Sequence, residues 1–369
     1  MKILQTDLCS GYPLARAGGH RTIHSLLLEL TCSGFAECMS LFPRRGLGSQ
    51  LPEYDPKLTD FESLGIRGLQ VAAGRWTFDC GYPAWAVERV EDALAECMES
   101  FQPQVVWCNC FPSLPLLMAA RGRGLGAVWY VHDCRPAAED LRRAANAGIC
   151  LLAVSEFIAG RIRQFIGGPC AVIYPLIRES DYITGRDDPG YVTLINPRPV
   201  KGYETFLSIA AALPEMRFLV VEAWPLGEGR PAVEKQLAEL GNVKFVHQLA
   251  DTRAIYRQTR LLLAPSVVEE GGPRVIREAQ LNGIPVLGSS RGGVPEMIGE
   301  GGVVIEEYEN PAAWTSAIRE ILGDAERYAG MAAAAHRNAY REDLQSATIV
   351  RQFRESCRRA AENPKVARP

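Results

Sequence analysis

A chain of 369 residues is longer than one ordinary domain and suits two. Its 47% apolar content supplies two proper cores. A net charge of −3, spread evenly over both halves, argues against nucleic acid as a partner and against a basic field that would hold the chain on anionic lipid. No apolar run reaches the ~18 residues that span a bilayer, so no integral membrane segment is expected. Met1-Lys2-Ile3-Leu4 is too short and too soon interrupted to be a secretory leader. Eleven scattered cysteines read as free thiols in a reducing cytoplasm.

Strand-like runs at 2–7, 105–108, 127–131 and 149–154 alternate with helical periodicity at 19–32, 85–100, 113–123 and 156–166. The stretch 34–76, rich in Pro, Gly and Arg, reads as loops and short strands. A second series follows, with strands expected at 191–195, 217–221, 243–246, 261–264, 284–287 and 302–305. Its helices are expected at 205–213, 230–240, 252–259, 273–282 and 311–322, and 345–360 is patterned as an amphipathic helix. Alternating β and α elements predict parallel sheets with helices on both faces. The break falls at 174–190, where Pro175, Asp187, Asp188, Pro189 and Gly190 mark a linker. Two open α/β domains predict a cleft between them, and ligands in such sheets bind off the carboxyl ends of the strands.

The most informative stretch is 265–297. Glu270 and Glu278 bracket seven residues that include Gly271, Gly272 and Pro273, between two strand-like runs. This predicts strand, glycine loop, helix, strand, with backbone N–H groups offered to an anion at the helix start. Pro273 suits the first helical position, where its missing N–H is no loss. Glu270 is then in the loop, and Glu278 lies about a turn and a half into the helix. The two carboxylates can take hydroxyls on either side of an anionic centre, which is the layout of a sugar–diphosphate–ribose molecule.

Lys201-Gly202 follows the strand at 191–195, with Arg198 three residues before the lysine. Cations just past a strand end can neutralise a diphosphate leaving group, on which charge grows as the glycosidic bond breaks. Gly18-Gly19 lies between the first strand and its helix, where glycine lets backbone approach a ligand closely. It lacks the Gly-x-Gly-x-x-Gly spacing, which disfavours a nicotinamide dehydrogenase. His132-Asp133 follows the strand at 127–131. That histidine can hydrogen-bond a sugar hydroxyl or take a proton, and Asp133 can orient it or cap the next turn. His20 and His24 read as surface or packing residues. Cys108-Asn109-Cys110 has no second cysteine pair near it and strand-like neighbours, so it does not read as a metal site.

The Glu-x7-Glu pair, Pro265-Ser266, the glycine loop, Glu278-Ala279, Gly283-Ile284-Pro285-Val286 and Gly292-Gly293-Val294-Pro295-Glu296 resemble the donor-binding signature of retaining GT-B glycosyltransferases of family four. Val154-Ser155-Glu156-Phe157-Ile158 and Val172-Ile173-Tyr174-Pro175 also resemble it. The resemblance implies a GT-B fold of two Rossmann-like domains: an acceptor domain over 1–175, a nucleotide-sugar domain over 176–345, and a last helix, 346–369, that crosses back to the first. It implies that Glu278 binds ribose, Lys201 with Arg198 the diphosphate, and Glu270 with Gly271 and Gly272 the sugar. Gly18 and Gly19 would touch donor phosphate or acceptor, Gln248 the nucleobase through its backbone, and His132 the reacting sugar. The chain departs from the pattern twice. Asn196 stands where an arginine is commonest, and Pro273 replaces a residue that could donate an N–H.

The implied activity is a cytoplasmic, metal-independent, retaining glycosyltransferase with no cofactor. It would move a sugar from a nucleoside diphosphate, UDP above others, to a saccharide, lipid-linked or small-molecule hydroxyl. A nucleotide-sugar epimerase or phosphorylase on the same scaffold is one rival, and a protein that binds a nucleotide sugar without turnover is another.

Overall fold

The computed structural model describes residues 1–15, 17–45, 66–72, 74–185, 190–247, 249 and 251–362. The chain forms two compact units, Met1–Leu176 with Ser346–Pro369, and Ile177–Gln345.

Among the described residues, the first unit is built on a nine-stranded sheet. Its strands are β1 (Lys2–Thr6), β2 (Glu37–Pro43), β3 (Arg67–Ala72), β4 (Arg75–Asp79), β5 (Pro83–Val87), β6 (Val105–Cys108), β7 (Gly126–Val131), β8 (Cys150–Ala153) and β9 (Ala171–Val172). They lie in the order β3-β4-β5-β2-β1-β6-β7-β8-β9. All neighbours are parallel except β3 with β4 and β4 with β5. The inner strands β6 and β7 are buried at every residue, as parallel strands covered on both faces must be. That is why Val105-Val106-Trp107-Cys108 is an unbroken apolar run rather than an alternating one.

Two expectations for this unit change. Within 34–76, Glu37–Pro43 is a regular parallel strand beside β1, and 46–65 lies outside the described residues. The helix expected from 85 starts instead at Val90, because Pro83–Val87 forms β5. Ala84 and Ala86 point into the core, Trp85 carries the Arg75 guanidinium 4.2 Å above its ring, and pairing with β2 and β4 fixes this period-two pattern. A helix at Ala138–Asn146 has no counterpart in the expectation.

The helix Ser346–Glu362 belongs to the first unit. Phe353 is fully buried, 4.6 Å from the Trp107 ring and 6.0 Å from that of Tyr130. Gly126, at the start of β7, allows the helix to come close. A Cβ there would lie 2.7 Å from the Ala360 carbonyl oxygen.

The second unit has a six-stranded, wholly parallel sheet: β10 (Tyr191–Ile195), β11 (Phe218–Val221), β12 (Val243–Val246), β13 (Thr259–Ala264), β14 (Val286–Ser289) and β15 (Gly302–Ile305). The order β12-β11-β10-β13-β14-β15 is that of the dinucleotide-binding doubly wound fold. Phe206, Ile209, Phe218, Leu261, Trp314 and Ile318 anchor its core. The order reverses between β10 and β13, which makes their carboxyl ends the switch point where ligands of such sheets bind. The alanine-rich helix Ala325–Ala339, absent from the expectation, packs Ala335 and Ala339 inward. Among the described residues, no helix is long and apolar enough to cross a membrane.

Phe353→Ala should remove about 3–5 kcal/mol from the first unit, the usual loss for a fully buried phenylalanine. Urea unfolding followed by tryptophan fluorescence reads this directly, since Trp107 is its neighbour. An unshifted midpoint would contradict docking of this helix on the sheet.

Candidate functional site

The carboxyl end of β10 turns through Asn196, which holds a left-handed backbone at φ 67°. Its side-chain oxygen accepts from the Trp224 amide at 2.6 Å, which helps hold a conformation that costs a non-glycine residue. The chain then makes one short helical turn, Pro199–Lys201. Gly202 follows at φ 76°, and a Cβ there would lie 1.9 Å from the Pro265 carbonyl oxygen. Only glycine permits this approach. It sets the lysine turn against Pro265-Ser266, just past β13.

That contact brings Lys201 to Glu270. The Lys201 ammonium donates to Glu270 Oε1, and Ser266 Oγ donates to the same oxygen at 2.5 Å. The two side chains are only 18% and 14% exposed. The ammonium also lies 5.0 Å from the centre of the Trp224 ring. Arg198 is turned onto the same segment, donating to the Pro225 carbonyl. Its Nε is buried without a partner among the described residues. Lys201 and Glu270 therefore stand together at the switch point, while Arg198 faces the Trp224-Pro225 loop.

Glu270-Gly271 is held from the other side by Gly292-Gly293. Glu270 bridges Gly292 in parallel register, and the Gly293 amide donates to the Glu270 carbonyl at 2.8 Å. A Cβ on Gly292, itself at φ 60°, would be 2.4 Å from the Glu270 carbonyl oxygen, and one on Gly293 would be 2.3 Å from that of Gly271. Gly292-Gly293 thus packs backbone to backbone on Glu270-Gly271, fixing the loop that carries Glu270. Gly272 is only partly buried. Pro273 is the residue that precedes the helix rather than its first residue. The helix runs Arg274–Gln280, and Pro273 has extended backbone, ψ 106°. Glu278 is consequently just over one turn in.

The Glu278 carboxylate is 9% exposed and engaged at both oxygens. Tyr256 donates its hydroxyl to Oε2 at 2.6 Å, and Arg274 Nε donates to Oε1 at 3.2 Å. Arg274 also donates to the Tyr182 hydroxyl at 3.2 Å. Burial, and then the carboxylate beside it, push the Tyr256 hydroxyl well above its ordinary range. Burial opposes the Arg274 charge, and Tyr182 with Glu278 outweighs it, so its pKa rises. Sequence reasoning missed these three partners. The Arg274–Glu278 spacing of four was a readable signal, whereas nothing local marks Tyr182 or Tyr256. It also missed Glu222, fully buried just past β11. Glu222 accepts from the Leu226 amide at 2.7 Å and from Arg230 at 2.9 Å, and lies 3.3 Å from His247 Nδ1. Gln248 lies outside the described residues.

In the first unit, Gly18 and Gly19 open the helix Gly18–Cys32. A Cβ on Gly19 would be 3.5 Å from His132 Nδ1, so bare backbone faces that ring. The ring stands edge-on to Tyr130, centroids 4.4 Å apart. Asp133 accepts from the Arg135 amide and guanidinium, which is the turn-capping alternative for that residue. His24 packs, stacked on Tyr12 at 3.8 Å with Nδ1 2.8 Å from the Tyr82 hydroxyl.

These halves are those of the GT-B glycosyltransferase fold. Sucrose-phosphate synthase of Thermosynechococcus elongatus is 16% identical with a TM-score of 0.75, over 97% of this chain and 98% of that one. HepE of Anabaena, in complex with UDP and glucose, is 19% identical with a TM-score of 0.75, over 97% and 100%. At such identities the likeness speaks for the fold. Residues 189–324 match the family model described as glycosyl transferases group 1. D-inositol 3-phosphate glycosyltransferase of Thermobispora bispora is 33% identical over 164 residues, 39% of this chain. The chain spans 37% of the length of that relative.

Gly202→Ala should cost about 1–3 kcal/mol through backbone strain and more through collision with Pro265. Urea unfolding measures the loss. Unchanged stability would mean that the Lys201 turn is not seated on Pro265.

Proposed function

We propose that this protein is a retaining glycosyltransferase that moves a hexose from a UDP-sugar to a hydroxyl acceptor. The observation that carries the proposal is the Lys201–Glu270 pair at the switch point of the second sheet. The pair falls within the segment that matches the glycosyl transferases group 1 model. The solved complex of HepE with UDP and glucose supports UDP as the nucleotide.

In this reading Lys201 faces the diphosphate, with Arg198 as a second cation once it leaves the Pro225 carbonyl. Glu270 and the amides of Gly271 and Gly272 take sugar hydroxyls. Glu278 accepts from ribose; Tyr256 and Arg274 use one acceptor position on each oxygen and leave others open. Gln248 offers backbone to the base. Gly18 and Gly19 approach the donor phosphate or the acceptor, and His132 holds the sugar or acceptor by hydrogen bonding.

The bond from the anomeric carbon to the diphosphate oxygen breaks as the acceptor oxygen bonds to the same face. The departing phosphate oxygen takes the acceptor proton. Lys201 lowers the barrier because charge on that phosphate grows toward the transition state. Cations rather than a divalent ion serve the leaving group, and no cofactor enters. The many thiols fit a reducing compartment, which supports a cytoplasmic enzyme.

A thermal-shift panel of UDP-, GDP-, ADP- and dTDP-sugars tests the donor. A UDP-hexose should raise Tm, because binding the native state stabilises it by mass action. Lys201→Ala should lower kcat by about 10²-fold or more, the scale of a lost leaving-group contact, with a smaller change in KM. An α-linked donor should give an α-linked product by proton NMR. Stabilisation by no nucleotide sugar, or a β-linked product, contradicts the proposal.

A further inference from the structure

Away from the donor residues, a recess opens in the first unit off the carboxyl ends of β1 and β2. Ser10, Gly11 and Tyr12 line it from the loop after β1, Ser40 and Phe42 from β2, and His20 from the first turn of the helix Gly18–Cys32. A Cβ on Gly11 would lie 2.5 Å from the Phe42 ring, so glycine lets the loop fold onto the end of β2. The space is narrow and admits about one water-sized group. Gly19, the residue before His20, presents bare backbone to the His132 ring. The recess therefore adjoins the histidine assigned above to the sugar or acceptor.

Most polar groups of its wall are already engaged. Ser40 Oγ donates to Gln5 Oε1 at 2.6 Å, and Gln5 Nε2 donates to Asp7 Oδ2 at 2.9 Å. Asp7 Oδ1 accepts from the amides of Asn109 and Cys110 and from Ser113 Oγ, each at 2.9 Å, and Oδ2 accepts from Asn109 Nδ2 at 3.0 Å. The Tyr82 hydroxyl lies 2.8 Å from His24 Nδ1. Two atoms differ. Ser10 Oγ and His20 Nδ1 are buried with no hydrogen-bond partner among the described residues, and Ser10 as a whole is only 8% exposed. Buried polar groups are nearly always hydrogen-bonded, so two open ones lining a single recess call for a group that satisfies both.

We propose that this recess seats one hydroxyl of a neutral polyhydroxy acceptor, a saccharide or polyol, and that Ser10 and His20 select it. The assignment deepens the glycosyltransferase reading and rests on it. A neutral imidazole has one nitrogen that donates and one that accepts. A hydroxyl does both, so it can answer His20 Nδ1 in either tautomer and Ser10 Oγ as well. Burial pushes the His20 pKa down to about 4, against a bond with the Ser10 backbone that favours the charged form, so the ring offers no cation to an anion. Among the described residues that line the recess there is no lysine or arginine, and the Asp7 carboxyl is part of the wall. A phosphate or carboxylate placed there would be a buried charge without a partner. A site built to hydrogen-bond a hydroxyl also rejects an analogue that lacks it, because the polar groups of the site are then left unpaired.

Saturation-transfer NMR on the full chain, with no nucleotide sugar present, tests this with glucose, mannose, N-acetylglucosamine and myo-inositol as probes. At least one of them should bind, and inorganic phosphate should not displace it. Ser10→Ala and His20→Leu should each weaken that probe about 5-fold or more, the scale of one lost hydrogen bond. His20→Asn, whose amide oxygen can stand near the place of Nδ1, should recover much of the binding, which a purely structural histidine would not. Ser10→Ala decides the matter alone if His20→Leu does not fold. The thermal shift produced by UDP reads the second unit separately and should be the same in these variants as in the wild type. Binding of no neutral probe, displacement by phosphate, or wild-type affinity in folded Ser10→Ala overturns the recess and leaves the donor reading standing. Probe binding that the variants lose, in a protein stabilised by no nucleotide sugar, keeps the recess and overturns the glycosyltransferase reading instead.

Discussion

An ammonium and a carboxylate that are both largely withdrawn from water must compensate each other, and Lys201 and Glu270 do so where the strand order of the second sheet reverses. Taking such charges from water costs several kcal/mol each, and the pair offsets this only with good geometry and further hydrogen bonds. The surrounding backbone supplies both. Asn196 and Gly202 bend the chain after β10 so that the lysine turn meets Pro265, Ser266 donates to the carboxylate, and Gly292-Gly293 holds Glu270 from behind. Replacing any of these glycines puts a Cβ into a carbonyl oxygen.

The consequence for chemistry is a cation already fixed in place, partly screened from water and balanced by one carboxylate. On the proposed function, an incoming diphosphate would compete with Glu270 for Lys201, and the carboxylate would be released toward the hydroxyls of the attached sugar. Charge in a site of this kind acts without reorganisation cost at the moment of bond breaking. Glu278 is held differently. Tyr256 and Arg274 fix both its oxygens, and Tyr182 fixes Arg274 in turn, so its direction is set before any ligand arrives.

Much of this was legible in the sequence where the signal is local. Strand, glycine loop and helix over 261–280 follow from an apolar run, two glycines and a proline, and the eight-residue step from Glu270 to Glu278 is read by counting. What escaped is the part made by distant residues. Nothing near Gly292 in sequence says that it will pack on Glu270. Tyr182 and Tyr256 come from other elements, and Glu222 is marked only by its place after an apolar strand. The strand at Pro83–Val87 was hidden because Trp85-Ala86-Val87 is too short to separate a period of two from one of 3.6. The helix start slipped by one residue because proline tolerates the position before a helix as well as the first within it. In the first unit, Cys108-Asn109-Cys110 does not read as a metal site, and its spacing alone gives it no other role. Its meaning lies in Asn109 and Cys110 answering a buried Asp7 about a hundred residues away.

The central claim is that Lys201 and Glu270 act as one unit toward a nucleotide diphosphate. Calorimetric titration of UDP into the wild type, Lys201→Ala, Glu270→Ala and the double variant measures that directly. If the account is right, the two substitutions are non-additive by about 1 kcal/mol or more, because each removes the partner that fixes the other's position. Additivity within about 0.5 kcal/mol, with all four proteins folded, would contradict it.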